Sequence, residues 1–588
     1  MKSKLFYFFV ALLVVSTAAL AGTNKTRAKG PMNFGYGPAA VAQSAVHSHG
    51  EGVTTYGPGD SLGMARYDYG SNGGPEHNIV NFGDGTLAVG RMASVVPGWQ
   101  TSGYPDRGTY YAYYDGSKWS AFKKVETARR GWGNIDQFSD GGGVEIILSH
   151  VGPEVILDAS KGAGSWTSSG VVAGALGVDW PRLATGKGSN VYEIGSPGTP
   201  DTHTPYFMRS TDGGSTWDTA AAHQKIFATA STGDADAYDI AVYKGGSVDK
   251  VGVGHWAAGN NVYVTESTDA GATWTETLVY AVKADSGTLK HNQTQLQPDG
   301  CGSLIYDNTG NLHVVWSNFT AIGDSLDRTV LNYALSNAIL HWDKASGKIS
   351  TVALPKNDST IINKASAYMP GVDGALICGP DIGVDASNHL YVTYFGASSD
   401  IPSDSLAYNH VYATYSTNGG STWKVATDLT PVTGSDNTYP SLADLVDSNL
   451  HLVYLTSPLQ GNSVQGNHAD TTVIVKHLKV AVSSLLSQDL VEVRGGQVGA
   501  PMSYSLDQNY PNPFNPTTNI SFTLPATSTI SLKVYNVLGQ EVATVASGTY
   551  NAGVHTLTFD ASRLSTGVYF YKLEAGSFET VKKMMLLK

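Results

Sequence analysis

One eight-residue turn is written three times into the middle of this chain: Ser210-Thr211-Asp212-Gly213-Gly214-Ser215-Thr216-Trp217, Ser267-Thr268-Asp269-Ala270-Gly271-Ala272-Thr273-Trp274 and Ser416-Thr417-Asn418-Gly419-Gly420-Ser421-Thr422-Trp423. Self-similarity of this kind limits the fold to an array of like units, each burying its apolar face against a neighbour. In each copy Asp212, Asp269 or Asn418 can accept backbone N–H groups inside a tight hairpin, and a glycine supplies positive φ. Trp217, Trp274 or Trp423 then plugs the gap between strands. Looser versions stand at Asp115-Gly116-Ser117-Lys118-Trp119, at 158–166 and at 343–347.

The units can be counted a second way, from the strand that opens each one. Seven apolar runs bounded by turn residues qualify: 77–82, 134–138, 180–184, 238–242, 302–306, 379–384 and 439–443. With Val80, Asp136, Leu183, Ala241, Ile305, Ile382 and Leu442 as markers, the steps are 56, 47, 58, 64, 77 and 60 residues. That spacing suits four-stranded blades with inserted loops. The expected fold class is all-β: a β-propeller over 61–483 with seven blades, six being the alternative count. The last unit lacks a clear fourth strand, which either Leu62 to Tyr69 or Asp489 to Val493 would supply.

The repeated turn resembles the Asp-box, or bacterial neuraminidase repeat, of sialidase-like β-propellers. That resemblance implies a structural part for Asp212, Trp217, Asp269, Trp274, Asn418 and Trp423 on the blade rims. Chemistry is expected instead where the opening strands begin, around one mouth of the central channel. His77, Arg130, Asp136, Trp180, Arg182, Asp236, Tyr238, Asp239, Asp381 and Tyr439 fall there, a set of carboxylates, arginines and aromatic platforms suited to a carbohydrate. A sialidase proper needs an arginine cluster, a Tyr nucleophile assisted by Glu, and an Asp acid; the family's early Arg-Ile-Pro is absent here, so that activity is not expected. A glycosidase needs only two opposed carboxylates, which Asp136 with Asp239 or Asp381 would provide. Strand-start aspartates are also common turn caps.

The last 85 residues form a different pattern. Ile530, Leu532 and Val534 alternate with Ser531, Lys533 and Tyr535, and Tyr569, Tyr571 and Leu573 alternate with Phe570, Lys572 and Glu574, so both runs are period-two strands of a small Ig-like β-sandwich over 504–588. The blocks Ser505-Leu506-Asp507-Gln508-Asn509-Tyr510-Pro511-Asn512-Pro513-Phe514-Asn515-Pro516, Leu532-Lys533-Val534-Tyr535-Asn536-Val537-Leu538-Gly539-Gln540, Gly567-Val568-Tyr569-Phe570-Tyr571 and Lys582-Lys583-Met584-Met585-Leu586-Leu587-Lys588 resemble, in order, the type A C-terminal sorting domain of the type IX secretion system. The resemblance implies a Gram-negative bacterium of the Bacteroidetes type, the type IX machinery as partner, passage across both membranes and removal of the tail on arrival.

Residues 1–21 read as a secretory signal peptide, with Lys2 and Lys4 ahead of an apolar run and Ala19-Leu20-Ala21 at the cleavage site. Residues 22–60 read as a flexible leader and 484–503 as a Gly-rich linker. No stretch is long and apolar enough for a transmembrane anchor. The charge of -12, from 37 basic and 49 acidic residues, comes without a basic stripe, so nucleic acid is not an expected partner. Nothing calls for a cofactor or metal: the two cysteines lack metal-ligand spacing, and His47-Ser48-His49 has no supporting carboxylate. Cys301 and Cys378, each just before an opening strand of consecutive units, are placed so that a disulfide is possible, the alternative being two buried, unpaired thiols. Gly59-Asp60-Ser61-Leu62-Gly63 fits a nucleophile-elbow pattern, and Gly323-Asp324-Ser325-Leu326 repeats its core, but no helix follows either. Two readings result: a propeller that binds a glycan or protein at the channel mouth, with Trp99, Trp132, Trp180 and Trp256 as an exposed aromatic supply, or a secreted polysaccharide-degrading enzyme.

Overall fold

The computed structural model describes residues 57–486 and 505–587, except for 71–74, 97–102, 140–142, 151–152, 172–177, 198–204, 219–225, 228–235, 283–293, 324–328, 356–375, 402–406, 464–469, 507–508, 510–511, 525–527, 551–552 and 577. The chain divides into two compact units, 1–492 and 493–588.

The first unit is all-β and propeller-like. Among the described residues seven sheets follow one another along the chain, each running back and forth antiparallel from an innermost strand, with Leu445–Val446 added parallel to the innermost strand of the sixth. Numbered one to seven, the innermost strands are Ile79–Asn81, Gly131–Gln137, Val178–Thr185, Tyr238–Tyr243, Thr294–Tyr306, Ile377–Asp385 and Asp436–Leu442. Each packs on the next in order, and Ile79–Asn81 packs on sheet seven, so the series closes on itself. All seven opening runs of the sequence are these innermost strands. Covered on both sides by neighbouring sheets, such strands are buried at almost every position, as Asp436–Leu442 is throughout, rather than alternating.

Closure uses the start of the described chain. Asp60–Ala65 pairs antiparallel with Val473–Ala481, making the outermost strand of sheet seven from the first of the two expected sources. The docking begins before the expected boundary at 61: the Tyr454 hydroxyl donates to the Pro58 carbonyl at 2.6 Å, and a Cβ at Gly59 would lie 2.2 Å from the His477 carbonyl oxygen. The leader is therefore already packed from Gly57. The signal peptide, the remaining leader and His47-Ser48-His49 lie outside the described residues, as do Trp99 and the core of the second Gly-Asp-Ser-Leu. The first elbow-like motif lies on the closing strand itself.

The three repeated turns are superposable in their hydrogen bonds. Asp212 Oδ1 accepts the Thr216 N–H at 2.8 Å, Asp269 Oδ1 the Thr273 N–H at 2.8 Å and Asn418 Oδ1 the Thr422 N–H at 3.0 Å. Behind them Ser210, Ser267 and Ser416 accept the N–H of Gly214, Gly271 and Gly420. Hydrogen bonds from the Thr216 and Thr273 hydroxyls, at 2.6 Å, and then from their N–H groups hold the carboxyls of Asp212 and Asp269 down at about 2. Asp115, Asp158 and Asp343 accept backbone N–H groups in the corresponding turns of sheets one, two and five. The tryptophans plug a different gap from the one expected. Trp274 sets its edge on Phe207 at 4.7 Å and Trp423 meets His341 at 5.3 Å, while Trp166 meets Tyr111 and Trp119 meets His477, both at 4.9 Å. In every case the partner belongs to the preceding sheet, because the side chain at the start of the fourth strand faces across the gap between sheets and not along its own.

In the second unit Ser505–Leu506, Thr517–Leu524 and Gly553–Asp560 form one sheet, and Ser528–Tyr535, Glu541–Tyr550, Gly567–Ala575 and Phe578–Leu586 another. Ile520 and Phe522 of the first meet Leu532, Val534, Tyr571 and Leu573 of the second in a core of their own. A unit with its own core melts independently of its neighbour. Truncation after Glu492 is expected to leave thermal unfolding of the first unit nearly unchanged while abolishing export; a large fall in its Tm would show that the units share stability.

Candidate functional site

The inner ends of the seven sheets are tied by one polar residue each, always directly before an Ile or Leu: Asn78, Asn134, Arg182, Asp239, Ser303, Asp381 and Ser441. All seven are buried. Asn78 Nδ2 donates to the Gly133 carbonyl at 3.2 Å and Asn134 Nδ2 to the Pro181 carbonyl at 2.7 Å. Arg182 pairs with Asp236 at 3.8 Å, and Asp239 accepts the Leu304 N–H at 3.4 Å. The Ser303 hydroxyl donates to Asp381 at 2.9 Å, Asp381 accepts the Leu442 N–H at 2.7 Å, and the Ser441 hydroxyl donates to the Glu76 carbonyl at 2.7 Å. Each link runs from one sheet to the next, and the seventh returns to the first. A buried polar group that is fully bonded rigidifies its surroundings.

This girdle absorbs the carboxylates singled out by sequence. Asp239 and Asp381 are links in it, and Asp136 serves the same end one step along, accepting the Thr185 N–H at 2.7 Å and its hydroxyl at 2.8 Å. Burial pushes the Asp381 carboxyl up to about 7. His77 spans the channel inside the ring, its Nε2 2.8 Å from Asp239 Oδ1 and its Nδ1 3.8 Å from Asp444. Burial pulls the imidazole down, but Asp239, Asp444 and Asp381 outweigh it and raise it to about 10, so the ring stays charged at neutral pH. Arg182 and Asp236 are paired and fully covered, and Tyr238 is spent on donating to the Trp180 carbonyl at 2.8 Å.

Ahead of the girdle, where inner strands begin, the backbone does something unusual. Trp132, Trp180 and Tyr439 have φ of 46°, 48° and 52°, and each lies at a register shift two residues before its girdle residue. Bulky residues rarely adopt this left-handed conformation, and a bulge re-aims the side chain it carries. Tyr439 sits 6.0 Å from Tyr69 and 5.5 Å from Phe395, while Trp132 and Trp180 join a continuous array. Tyr104 meets Tyr67 at 5.1 Å, Tyr67 meets Trp132 at 6.2 Å, Trp132 meets His150 at 4.9 Å, and His150 stacks on Trp180 at 5.2 Å. The Arg107 guanidinium sits 4.5 Å from the Trp132 ring centre and 5.5 Å from that of Tyr67. His150 Nδ1 accepts the Trp180 N–H at 3.1 Å, which fixes the edge of the imidazole. Trp180 is half-buried; Arg129 is exposed and donates to the Gly103 carbonyl at 2.9 Å, and Arg130 pairs with Glu154 at 3.1 Å.

Of the expected residues, then, Trp180, Arg130 and Tyr439 lie on this mouth, while His77, Asp136, Arg182, Asp236, Tyr238, Asp239 and Asp381 build its floor. Tyr67, Tyr104, Arg107 and His150 were not singled out, since none lies on an opening strand. Trp132 and Trp256 are not exposed: Trp132 is buried in the array and Trp256 is fully enclosed, its ring against Gly254 and Gly302. The three repeated turns follow the third strands of sheets three, four and six, so they lie on the face away from the mouth. Cys301 and Cys378 lie in hydrogen-bonding contact as free, buried thiols. The described residues hold no cluster able to ligate a metal and no helix long and apolar enough to cross a membrane.

Residues 508–587 match the family described as the secretion system C-terminal sorting domain. The protein is thus marked for export by the type IX secretion system to the cell surface or beyond it. No curated protein matches the chain. Among solved structures, a polysaccharide lyase of family PL25, an ulvan lyase, is similar at 11% identity over 72% of this chain and 96% of its own, with a TM-score of 0.42. PorZ, a surface component of the type IX system of Porphyromonas gingivalis, is similar at 12% identity over 91% of this chain and 61% of its own, with a TM-score of 0.31. AofleA from Arthrobotrys oligospora is similar at 11% identity over 66% of this chain and 93% of its own, with a TM-score of 0.37.

Proposed function

We propose that residues 57–486 are a seven-bladed β-propeller of the Asp-box, sialidase-like type, carried outside the cell by an Ig-like sorting domain, and that the propeller recognises a carbohydrate at the mouth where its inner strands begin. The observation that carries this reading is the left-handed backbone shared by Trp132, Trp180 and Tyr439 at the same position of three inner strands. Strain of this kind costs about 1–3 kcal/mol per residue and persists where the surrounding structure has a use for it. Aromatic faces pack against the C–H faces of sugar rings, and the arginines beside them donate hydrogen bonds to hydroxyls or acidic groups. The reading is one of binding without turnover, because Asp136, Asp239 and Asp381 already hold neighbouring strands together.

The test is a glycan array together with a polysaccharide panel, using residues 22–503 and the Trp180→Ala variant. The native protein is expected to retain a restricted set of glycans, and Trp180→Ala to weaken that binding by about 10-fold or more, as for an anchor residue of an interface, with Tm nearly unchanged. Binding indifferent to Trp180 would overturn the site. Newly released chain ends from any polysaccharide would replace binding with an enzymatic reading.

A further inference from the structure

We propose that Cys301 and Cys378 are a built-in oxidation site, joined in the exported protein by a disulfide that cross-links the inner strands of sheets five and six. Cys301 lies two residues before Ser303 and Cys378 three before Asp381, the two residues whose side chains form the girdle link between these sheets at 2.9 Å. The strands that carry the cysteines pack directly on one another, and the two side chains are in hydrogen-bonding contact. They are also the chain's only two cysteines, so pairing leaves no thiol over and admits one connectivity. The sorting domain sends them to compartments where disulfides form and persist.

The chemistry is thiol–disulfide exchange with a disulfide donor of the exported compartment. One cysteine thiolate attacks the donor disulfide and releases one donor thiol; the second cysteine then attacks the mixed disulfide and releases the other. One S–S bond forms in the protein, one breaks in the donor, and two protons and two electrons pass to the donor's two sulfurs. Both cysteines are buried, and the contact with Cys378 together with burial holds the Cys301 thiol well above its ordinary range. A folded, reduced ring therefore offers a donor no access to either sulfur. It follows that oxidation precedes the closing of sheets five and six, during folding after export.

The test takes protein from the extracellular fraction, denatures it and alkylates it before and after reduction. Expected are no alkylated cysteines before reduction and two after it, with reduction lowering the Tm of the full chain by several degrees because closing a long loop constrains the unfolded state. Two alkylated cysteines without reduction would overturn the proposal, as would cysteines blocked by a small-molecule adduct or by a bond between two chains. A second measurement fixes the order of events. Reduced protein that has been refolded under reductant should resist oxidised glutathione, whereas the same protein refolded in its presence should become oxidised; rapid oxidation of the folded, reduced form would overturn the proposed order.

Discussion

Replacing Trp423 by alanine is expected to destabilise the first unit by about 3–5 kcal/mol, the range for emptying a buried aromatic site. The ring is only 1% exposed, its Nε1 donates to the Ser350 hydroxyl at 3.1 Å, and it meets His341 of the preceding sheet in a T-shaped contact. The site cannot collapse around the missing ring, because it is bounded by strands of two sheets, and three other such contacts hold neighbouring sheets at the same spacing. Trp217→Ala and Trp274→Ala should cost less, since both side chains are only partly buried. Gly420→Ala should be comparably severe by the opposite route: the position has φ of 80°, and an added Cβ would lie 2.0 Å from the His341 ring. Denaturant unfolding of each variant measures the losses. Glycan binding per folded molecule should persist in all of them, because these turns sit on the face away from the mouth. Loss of binding with unchanged stability would mean that the turns, and not the strand beginnings, form the site.

The contrast between the two faces also marks what the sequence could and could not disclose. The repeated turn was legible because its chemistry is local: Asp212 and the N–H groups it accepts lie within four residues of one another. The inner strands were legible because continuous apolar runs bounded by turns leave little else for those residues to do. Register was less so. The markers Val80, Asp136, Ala241 and Ile305 fall one residue beyond Ile79, Ile135, Ile240 and Leu304, which follow the girdle residues. The missed signal was a polar residue directly before each Ile or Leu, present in all seven strands. The girdle links themselves were out of reach, because Asp381 finds Ser303 across 78 residues and Leu442 across 61. The mouth was harder still. Trp132, Trp180 and Tyr439 could be named as aromatic, but their left-handed backbone comes from a bulge that only pairing with the second strand creates. Tyr67, Arg107 and His150 enter from a connection and from second and third strands, where no opening-strand argument looks.

The second large effect is expected at Glu193, where the protein should become more stable on losing a charge. Glu193 stands in the middle of Val191–Pro197, opposite Leu183 and Met208, with no exposed surface and with neither carboxyl oxygen partnered among the described residues. Burial alone pushes its carboxyl from 4.5 up to about 8. A group whose pKa is raised by folding contributes stability that is fully present below the unfolded pKa and is lost as pH rises towards the folded one. Glu193→Gln keeps the shape and removes the proton equilibrium. The two proteins should therefore be close in stability near pH 4.5, and should diverge above it by up to about 1.4 kcal/mol per pH unit. By pH 7 the variant should lead by about 3 kcal/mol, with little further divergence once pH passes the folded value. His255 and His477, both pulled down to about 4 chiefly by burial, act in the other sense: the unfolded imidazoles bind protons first as pH falls below their ordinary value of 6.5, so acid destabilises the fold. That contribution is common to both proteins and cancels in their difference, which is why the pair is the measurement and a single pH profile is not. Urea unfolding of both at pH 5, 6, 7 and 8 decides it. A gap that stays constant over this range would mean that Glu193 folds as an ionised, partnered carboxylate, and the unpaired burial argued here would be wrong.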